Sequence, residues 1–358
     1  MSNKYAFVSN IVTPYRVIQL KALERSKYKF DFITTEVNPY RRWTISDEKH
    51  VNANKIFSIP YISKKPSIFG LIFEYDGFLI TGYDRLQYIL LAFLCIVFRK
   101  KYYLVFDGVA PSKLIIKRKS FKYILKFIIS KFSSGILANG KVGFEYFTKN
   151  FYIDKNKIYN QYLNIDVSEF FNDLPKKKLL FRDNHEQKIV LFCGRLMERK
   201  GGLELIKSIS SMKLDVKLVF AGSGEMEDVW KQKCNELNVK HKFLGNVDRE
   251  NLSEIYYSSD VLAVPSRDEP WGLVIHEALL CNIPVVCSSD CGSSLDLIDH
   301  KVNGFIYEPG DTHALNESIL SSFSLDKTRL TECNKKILKE WNNDSFLSEV
   351  SNMIGHAK

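Results

Sequence analysis

The sequence has no apolar run long enough to cross a lipid bilayer as a helix. Its most apolar stretch, Tyr88–Phe98, reads YILLAFLCIVF, whereas a spanning helix needs about 20 residues. The first residues, MSNKYAFVSN, lack the long apolar segment of a secretory signal peptide. We therefore expect Tyr88–Phe98 to form a buried helix and the protein to be cytoplasmic.

Cysteine is scarce and scattered. The seven cysteines are odd in number and lie mostly inside apolar runs, and no second Cys or His pair follows Cys287 and Cys291 at zinc spacing. This pattern favours reduced thiols over a disulfide framework or a metal site. The sequence also lacks low-complexity tracts and short-period repeats, which excludes disordered and solenoid proteins.

Length and charge indicate two domains with different partners. The chain has 358 residues and a net charge of +10, and a chain of this length usually divides into more than one core. Residues 1–170 contain 27 Lys and Arg against 13 Asp and Glu, a net charge of +14, whereas the remainder carries −4. Such different charges predict different binding partners.

Short apolar runs alternate with helical patterns through both halves, which predicts an α/β fold with parallel sheets. We expect two Rossmann-like domains that face a central cleft, one at 1–168 and one at 169–335, joined near 165–187. A C-terminal helical tail, 336–358, follows, and one interpretation is that it packs back on the first domain. The predicted strands are 5–10, 30–35, 77–82, 102–107, 135–140, 189–194, 217–222, 242–245, 261–266 and 283–289. The predicted helices are 14–26, 84–99, 112–133, 202–212, 225–237, 250–258, 272–281 and 313–322.

The densest chemical signal is the segment 266–277, SRDEPWGLVIHE. A strand ends before it, Gly272 marks a turn, and a helix should follow, so the first amides, Leu273 and Val274, are available to an anion. Glu269 precedes this helix and Glu277 lies one turn inside it, so both carboxylates could accept hydrogen bonds from the hydroxyls of one ligand. The alternative is an ordinary turn and helix with two solvated acids.

Two further loops follow predicted strands in the same half. The first, GRLMERKGG at 194–202, offers Gly194, Arg195 and Lys200 to phosphate oxygens, although a basic surface turn would look the same. The second, AGSGEM at 221–226, has glycines that would let the backbone approach a ligand, although a tight turn explains it equally well.

Taken together, these segments resemble the C-terminal domain of the glycogen-synthase-like retaining glycosyltransferases of family 4, which have the GT-B fold. The resemblance is dense from about 188 to 312 and looser over 149–170. Its pieces are GRLMERKGG, AGSGEMEDVW, FLGNVDRENLSEIYYSSDVLAVPS, EPWGLVIHEAL and IPVVCSSDCGSSLDLIDHKVNGFIYEPGD. Glu269 and Glu277 match the E-x7-E pattern of that family.

The resemblance implies a role for each matching residue. Arg195 and Lys200 would bind the donor diphosphate, Glu269 would contact the transferred sugar, and Glu277 would hold the ribose. The turn at Gly272, Leu273 and Val274 would lie beside the distal phosphate, and Gly194 would belong to the donor-binding first loop. The residues that would lie near the nucleoside are Gly222, Ser223, Asn246 and Val247. Catalysis in this family retains the anomeric configuration and needs no metal or other cofactor, and the nucleotide-sugar is a substrate.

The N-terminal half departs from the family pattern. The first strand-to-helix loop, SNIVTPYR, has no glycine, and the place where many relatives have a histidine reads VFDG. Asp107 could occupy that place as a catalytic residue, or it could be an ordinary strand-end aspartate. Tyr15 and Arg16 are similar to cleft-facing residues of bacterial surface-polysaccharide members. His276 is interpreted as a surface or packing residue.

Residues 112–133 predict a basic amphipathic helix, with seven Lys and Arg and no acid. Such a helix could bind an anionic membrane surface, or it could be a solvated helix with one core face. The charge of the N-terminal half favours attachment to the inner face of the cytoplasmic membrane, where the acceptor would be a glycan or a lipid-linked glycan.

The sequence therefore predicts a retaining, metal-independent glycosyltransferase that acts in cell-surface polysaccharide synthesis, such as that of capsule or O-antigen. Two alternatives remain open: a GT-B sugar-nucleotide epimerase and a non-catalytic nucleotide-sugar-binding protein. A nucleic-acid partner is not expected, because the basic half has no zinc knuckle, helix-turn-helix or RNP-like aromatic motif. The sequence does not specify the base or sugar of the donor.

Overall fold

The computed structural model describes residues 3–10, 13–34, 57–58, 68–83, 85–116, 120–165 and 180–356. Up to residue 165 its helices and strands are β1 (Lys4–Ser9), α1 (Pro14–Glu24), β2 (Lys29–Thr34), β3 (Phe57–Ser58), α2 (Ile68–Glu74), β4 (Gly77–Thr81), α3 (Leu86–Val97), β5 (Lys101–Phe106), α4 (Phe121–Phe132), β6 (Gly135–Ala138), α5 (Gly140–Phe151) and β7 (Ile158–Asn160).

Beyond residue 180 the alternation continues, and it ends in two longer helices. The elements are β8 (Lys188–Cys193), α6 (Gly202–Ser210), β9 (Val216–Ala221), α7 (Glu227–Glu236), β10 (Lys240–Phe243), α8 (Arg249–Tyr257), β11 (Val261–Val264), α9 (Leu273–Leu280), β12 (Val285–Ser288), α10 (Ser294–Leu297), β13 (Gly304–Tyr307), α11 (Thr312–Ser322), α12 (Lys327–Glu340) and α13 (Asn343–His356). Single 3-10 turns lie at Pro111–Lys113, Lys155–Lys157 and Glu198–Lys200.

The chain forms two compact units. The first comprises Met1–Gly108, Leu114–Ile165 and Trp341–Lys358, and the second comprises Val109–Lys113 and Asp166–Glu340. The last helix, α13, is thus part of the first unit. The sequence-based boundaries and linker near 165–187 remain predictions, because much of that segment lies outside the described residues.

The first unit contains a parallel sheet in the order β3-β2-β1-β4-β5-β6-β7. Its strands are largely apolar because both faces of a parallel sheet are covered. On one face α1 and α13 pack together over β1 and β6, where Phe7, Leu23, Leu137, Phe346 and Met353 form one buried cluster.

The second unit contains a parallel sheet in the order β10-β9-β8-β11-β12-β13. The order reverses direction at β8, and ligands of such sheets bind beyond the carboxyl ends of the strands near this reversal. Trp230 is fully buried and packs against Phe192 and Phe220 in the core beneath. The predicted α/β class is therefore confirmed in both units.

All ten predicted strands are present within a few residues of their expected bounds, but the helix predicted at 112–133 is wrong in extent. Residues 111–113 form a 3-10 turn, and α4 begins only at Phe121, where the Ser120 hydroxyl accepts a hydrogen bond from the Tyr123 amide (3.1 Å). Residues 117–119 lie outside the described residues. No helix that the structure describes has both the length and the apolar character to cross a bilayer.

The turn into α6 depends on a glycine. Gly201 has φ +74, and a Cβ atom built on it would lie 2.0 Å from the carbonyl oxygen of Pro265. We predict that Gly201→Ala lowers the free energy of unfolding by about 2 kcal/mol or more, because it combines left-handed backbone strain with a backbone clash. Thermal and denaturant unfolding would measure this loss.

Gly355 supplies a matched control for that substitution. It lies in α13, where an added Cβ would meet nothing within 4 Å and φ is not positive. Gly355→Ala should leave stability unchanged or raise it slightly, since alanine favours a helix. Equal stability of the two variants would contradict the packing argument for Gly201.

Candidate functional site

Two loops after β8 and β9 lie in direct contact at the carboxyl edge of the second sheet. The Leu196 amide donates to the carbonyl of Ser223 (3.0 Å), and the Met226 amide donates to the carbonyl of Leu196 (3.0 Å). A Cβ atom on Gly222 would lie 2.0 Å from the carbonyl oxygen of Gly194. The sequence predicted that the glycines of 221–226 let the backbone approach a ligand. In the structure, the absence of a side chain at Gly222 lets the neighbouring loop approach instead.

Arg195 and Lys200, both in the first of these loops, differ in their surroundings. The Lys200 ammonium forms an ion pair and hydrogen bond with Glu269. The Arg195 side chain is exposed, and its guanidinium has no partner among the residues that the structure describes. Arg195 is thus available for an incoming anion, whereas Lys200 already has a carboxylate.

The loop that carries Glu269 is tied to its neighbours through its backbone. The Asp268 amide donates to the carboxylate of Asp290 (2.7 Å), the Glu269 amide donates to the carbonyl of Asp290 (3.2 Å), and the Gly292 amide donates to the carbonyl of Glu269 (2.9 Å). Glu269 itself is only 8% exposed. Ser112, in the short segment of the second unit at 109–113, also donates to Asp290 from its amide and its hydroxyl.

The first turn of α9 leaves two amides open. Gly272 occupies the N-cap position of the helix with φ +91, and no side chain accepts a hydrogen bond from the amides of the first turn at this position. The Leu273 and Val274 amides have no acceptor among the described residues, and both residues are partly exposed. A Cβ atom on Gly272 would lie 3.5 Å from Cγ of Glu269. An anion at these amides would therefore lie close to the Glu269 side chain.

Glu277 lies one turn further along α9 and has a tyrosine partner. The Tyr256 hydroxyl donates to Oε2 of Glu277 (2.6 Å). Burial raises the pKa of the Glu277 carboxyl, and the hydrogen bond from Tyr256 opposes this shift. The adjacent Cys193 thiol has its pKa raised to about 12, by burial first and by the charge of Glu277 second. Tyr256 and Cys193 were missed by the sequence reasoning, which assigned no role to either, although Tyr256 lies in one of the segments that carry the resemblance.

The residues expected near a nucleoside also lie together. The Ser223 hydroxyl donates to Oδ1 of Asn246 (2.7 Å), and the amide of Gly222 donates to the carbonyl of Gly245 (2.8 Å). Asn246 and Val247 line an open cavity of about 330 Å³. The structure thus unites Gly222, Ser223, Asn246 and Val247 at one end of the β9 and β10 strands.

In the first unit, Asp107 is the centre of a hydrogen-bonded cluster. Its carboxylate accepts two hydrogen bonds from the buried Arg16 (2.9 and 3.0 Å), one from the Tyr15 hydroxyl (3.1 Å) and one from the Gln161 amide (2.8 Å). Burial raises the pKa of Tyr15 to about 12, and the nearby carboxylate adds to the shift. Gln161 was not predicted, because it follows β7, a strand that the sequence reasoning missed.

Among the described residues, no group of three His, Cys, Asp or Glu side chains is arranged to hold a metal ion. The expected independence from metals and cofactors stays a prediction.

His276 is completely buried, and neither ring nitrogen has a hydrogen-bond partner in the described part of the chain. Burial lowers its pKa to about 4 from the ordinary 6.5. The unfolded chain therefore binds a proton at this histidine below about pH 6.5, whereas the folded chain binds it only below about pH 4. We predict that, as pH falls through this interval, His276 lowers the free energy of unfolding by about 3 kcal/mol.

His276→Leu should remove that part of the acid destabilisation, and it should be as stable as the unsubstituted protein or more so at pH 7, since it buries no unpaired polar group. Denaturant unfolding at pH 7, 5.5 and 4.5 would test this. The exposed His313 gives the control substitution, His313→Leu. An identical pH slope for His276→Leu and the unsubstituted protein would refute the assignment.

Residues 176–337 match the sequence model of the family described as glycosyl transferases group 1. The match lies almost entirely within the second half of the chain and covers less than half of its residues.

Curated relatives match over part of their length. An uncharacterized glycosyltransferase of Methanocaldococcus jannaschii is 33% identical over 212 residues, which are 56% of this chain and 54% of that protein. The N-acetylgalactosamine-N,N'-diacetylbacillosaminyl-diphospho-undecaprenol 4-alpha-N-acetylgalactosaminyltransferase of Campylobacter jejuni is 27% identical over 228 residues, 63% of this chain and 61% of that protein. The chain thus spans little more than half the length of these curated relatives.

Solved structures match over nearly the whole chain. Anabaena HepE in complex with UDP has a TM-score of 0.76 at 16% identity, with 99% of this chain and 100% of that chain covered. A glycosyltransferase from Rickettsia africae has a TM-score of 0.76 at 18% identity, with 99% and 98% covered. The predicted GT-B fold is confirmed by this likeness.

Proposed function

We propose that this chain, whose residues 176–337 match the sequence model of the glycosyl transferases group 1, is a retaining glycosyltransferase. It transfers a sugar from a nucleoside-diphosphate sugar to a glycan or lipid-linked glycan. The observation that carries the proposal is the arrangement at α9: the Lys200–Glu269 ion pair lies beside two amides, Leu273 and Val274, that lack acceptors within the described chain.

This arrangement suits a sugar diphosphate. Breaking the bond between the anomeric carbon and the phosphate oxygen leaves negative charge on the diphosphate. The ammonium of Lys200, the guanidinium of Arg195 and the two amides can stabilise that charge as it forms. The released phosphate oxygen takes the proton of the acceptor hydroxyl as the new glycosidic bond forms on the same face, so the anomeric configuration is retained and no metal is required.

The two glutamates hold different parts of the donor in this proposal. Glu269 is close to the α9 amides and accepts hydrogen bonds from hydroxyls of the transferred sugar. Glu277, held by Tyr256, accepts hydrogen bonds from the ribose. Ser223, Asn246 and Val247 lie towards the nucleoside base. The carboxylate of Glu269 pairs with Lys200, and in this proposal the diphosphate of the donor takes its place as the anionic partner of Lys200.

The relatives support a nucleotide-sugar donor and a lipid-linked acceptor. HepE was crystallised with UDP, and also with UDP-glucose, and the name of the Campylobacter enzyme specifies a diphospho-undecaprenol acceptor. We propose an acceptor of this class and a place in cell-surface polysaccharide synthesis, such as capsule or O-antigen. We also propose peripheral attachment to the inner face of the cytoplasmic membrane through residues 112–133, of which α4 forms the described helix.

A donor panel tests the proposal. The full chain is incubated with UDP-, GDP- and dTDP-sugars, and thermal stabilisation and slow release of free sugar are measured. Nucleotide-sugars with one of the three bases should raise the melting temperature of the protein. One of these donors should be hydrolysed slowly to free sugar. Conversion of the donor to an epimer would favour the epimerase, stabilisation without any release would favour a non-catalytic binding protein, and no stabilisation by any nucleotide would refute the proposal.

With the donor so identified, we predict that Glu269→Gln lowers kcat by about 100-fold or more, since an interaction with the reacting sugar is lost. Binding of the free nucleoside diphosphate should persist, because Lys200 and the α9 amides remain. The exposed Glu332 on α12 gives the matched control, Glu332→Gln. Turnover of Glu269→Gln at the unsubstituted rate would show that the role assigned to Glu269 is wrong.

Tyr256→Phe should weaken nucleotide binding increasingly as pH falls. The hydroxyl of Tyr256 lowers the pKa of Glu277 against the effect of burial, so its removal raises that pKa and protonates the carboxylate at a higher pH. Calorimetric titration between pH 5 and 8 would measure the affinity. The neighbouring Tyr257→Phe is the control. Glu277→Gln should reduce the dependence of nucleotide affinity on pH, because the titrating carboxyl is removed. A Tyr256→Phe profile parallel to that of the unsubstituted protein would rule out this coupling.

A further inference from the structure

Helix α3 of the first unit is apolar on its solvent side as well as on its core side. From Leu86 to Val97 it contains no charged residue. Its inner side is buried, but Leu86, Leu90 and Val97 are 63%, 42% and 71% exposed. These three residues recur at spacings of four and seven, so they form one stripe along the helix. A helix that is apolar on both sides normally has a partner on both sides.

The helices next to α3 repeat this feature. Helix α2 packs against α3 and exposes Phe69 and Phe73 by 55% and 70%. Phe73 makes an edge-to-face contact with Phe98 at the end of α3, at 5.4 Å between ring centres. The apolar surface of α2 is therefore continuous with that of α3.

Helix α4 also packs against α3, and few of its side chains are buried. Of its twelve residues only Ile129 and Ser130 are buried. Phe121, Ile124 and Phe132 are 73%, 51% and 62% exposed. The exposed apolar side chains of α2, α3 and α4 together form a surface that we call the three-helix face. Patches spread over several elements mark interaction sites, whereas single exposed apolar residues do not.

The charge of this region has one sign. Between residues 85 and 133 the sequence has eleven Lys and Arg but one acid, Asp107, and that carboxylate is engaged by Arg16. Lys122 and Lys131 are exposed on α4, and Arg99 is exposed just after α3. A second copy of the chain placed on this face would bring like charges together across a two-fold interface, which disfavours self-association. An anionic surface with an apolar interior complements the face in both respects.

We propose that the three-helix face is the surface by which the protein lies on an anionic bilayer, with the α2 and α3 side chains inserted among the acyl chains and the α4 lysines at the lipid phosphates. The proposal deepens the membrane attachment proposed above by assigning the apolar contact to α2 and α3, outside residues 112–133. It rests on the proposed function for the purpose of the contact, which is to bring the enzyme to a lipid-linked acceptor.

Co-sedimentation with vesicles tests the proposal. Vesicles of phosphatidylcholine alone are compared with vesicles of phosphatidylcholine and phosphatidylglycerol. The unsubstituted protein should bind the anionic vesicles, and the triple variant L86S/L90S/V97S should bind them about tenfold more weakly or worse, since three apolar side chains no longer insert. The variant K122A/K131A should lose binding chiefly at low salt, where the lysines act most strongly.

The second unit provides the matched control, L214S/V229S/L320S, which replaces three aliphatic side chains of 42%, 46% and 38% exposure and should leave vesicle binding unchanged. Thermal unfolding confirms that each variant folds. Negligible binding of the unsubstituted protein to both vesicles overturns the proposal, as does binding of L86S/L90S/V97S at the unsubstituted level. A dimer in solution that dissociates in L86S/L90S/V97S, without vesicle binding, also overturns it and assigns the face to self-association.

Sugar release from the donor is measured on the same variants without vesicles, so the two proposals fail separately. Normal release without vesicle binding refutes only the bilayer contact. Vesicle binding without nucleotide binding or release refutes the transferase and leaves the bilayer contact in place.

Discussion

Close approach of backbone to backbone is the constraint on which the second unit depends. The loop after β8 touches the loop after β9 where Gly222 meets Gly194, and it touches the end of β11 where Gly201 meets Pro265, each with 2.0 Å between a would-be Cβ and a carbonyl oxygen. A methyl group at either glycine would separate the loops. Because the loops pack this closely, side chains from distant parts of the sequence lie together at one edge of the sheet.

This constraint gives the site its electrostatic character. Lys200 and Glu269 come from loops 69 residues apart in sequence, and their pairing satisfies a largely buried carboxylate without filling the α9 amides. The carboxylate of Asp290 fixes the backbone that carries Glu269. The Leu273 and Val274 amides thus have no acceptor among the described residues, and the anion binding proposed above would need little reorganisation of this backbone.

Sequence reasoning predicted the parts of this site that are local in the chain. Buried parallel strands are short apolar runs, so β8, β9 and β11 were readable, and so were the loops that follow them. The loop glycines were also noticed, but their partner could not be, since nothing in AGSGEM indicates that Gly222 meets Gly194. The Tyr256–Glu277 pair was missed for the same reason: it joins two helices whose packing no local pattern specifies.

The sequence was less informative for the first unit. Strand β7 has three residues, too few for a periodicity, and so Gln161 had no predicted position. The pattern at 112–133 is helical by spacing alone, but Ser120 caps the helix and α4 begins there, so a residue that could have signalled the start was read as part of the interior. The exposed side of α3 could not be predicted from the sequence, because an apolar run predicts burial and does not indicate which of its residues face solvent.

Asp107 illustrates how a structure changes the meaning of a predicted residue. A carboxylate offers about four lone-pair positions, and Arg16, Tyr15 and Gln161 supply four hydrogen bonds to it. Arg16 is only 1% exposed, and a buried guanidinium without a carboxylate would be strongly unfavourable. A further partner for the Asp107 carboxylate would compete with the ion pair that neutralises Arg16. The geometry therefore favours a role in which Asp107 fixes Arg16 and Tyr15 at the carboxyl edge of the first sheet.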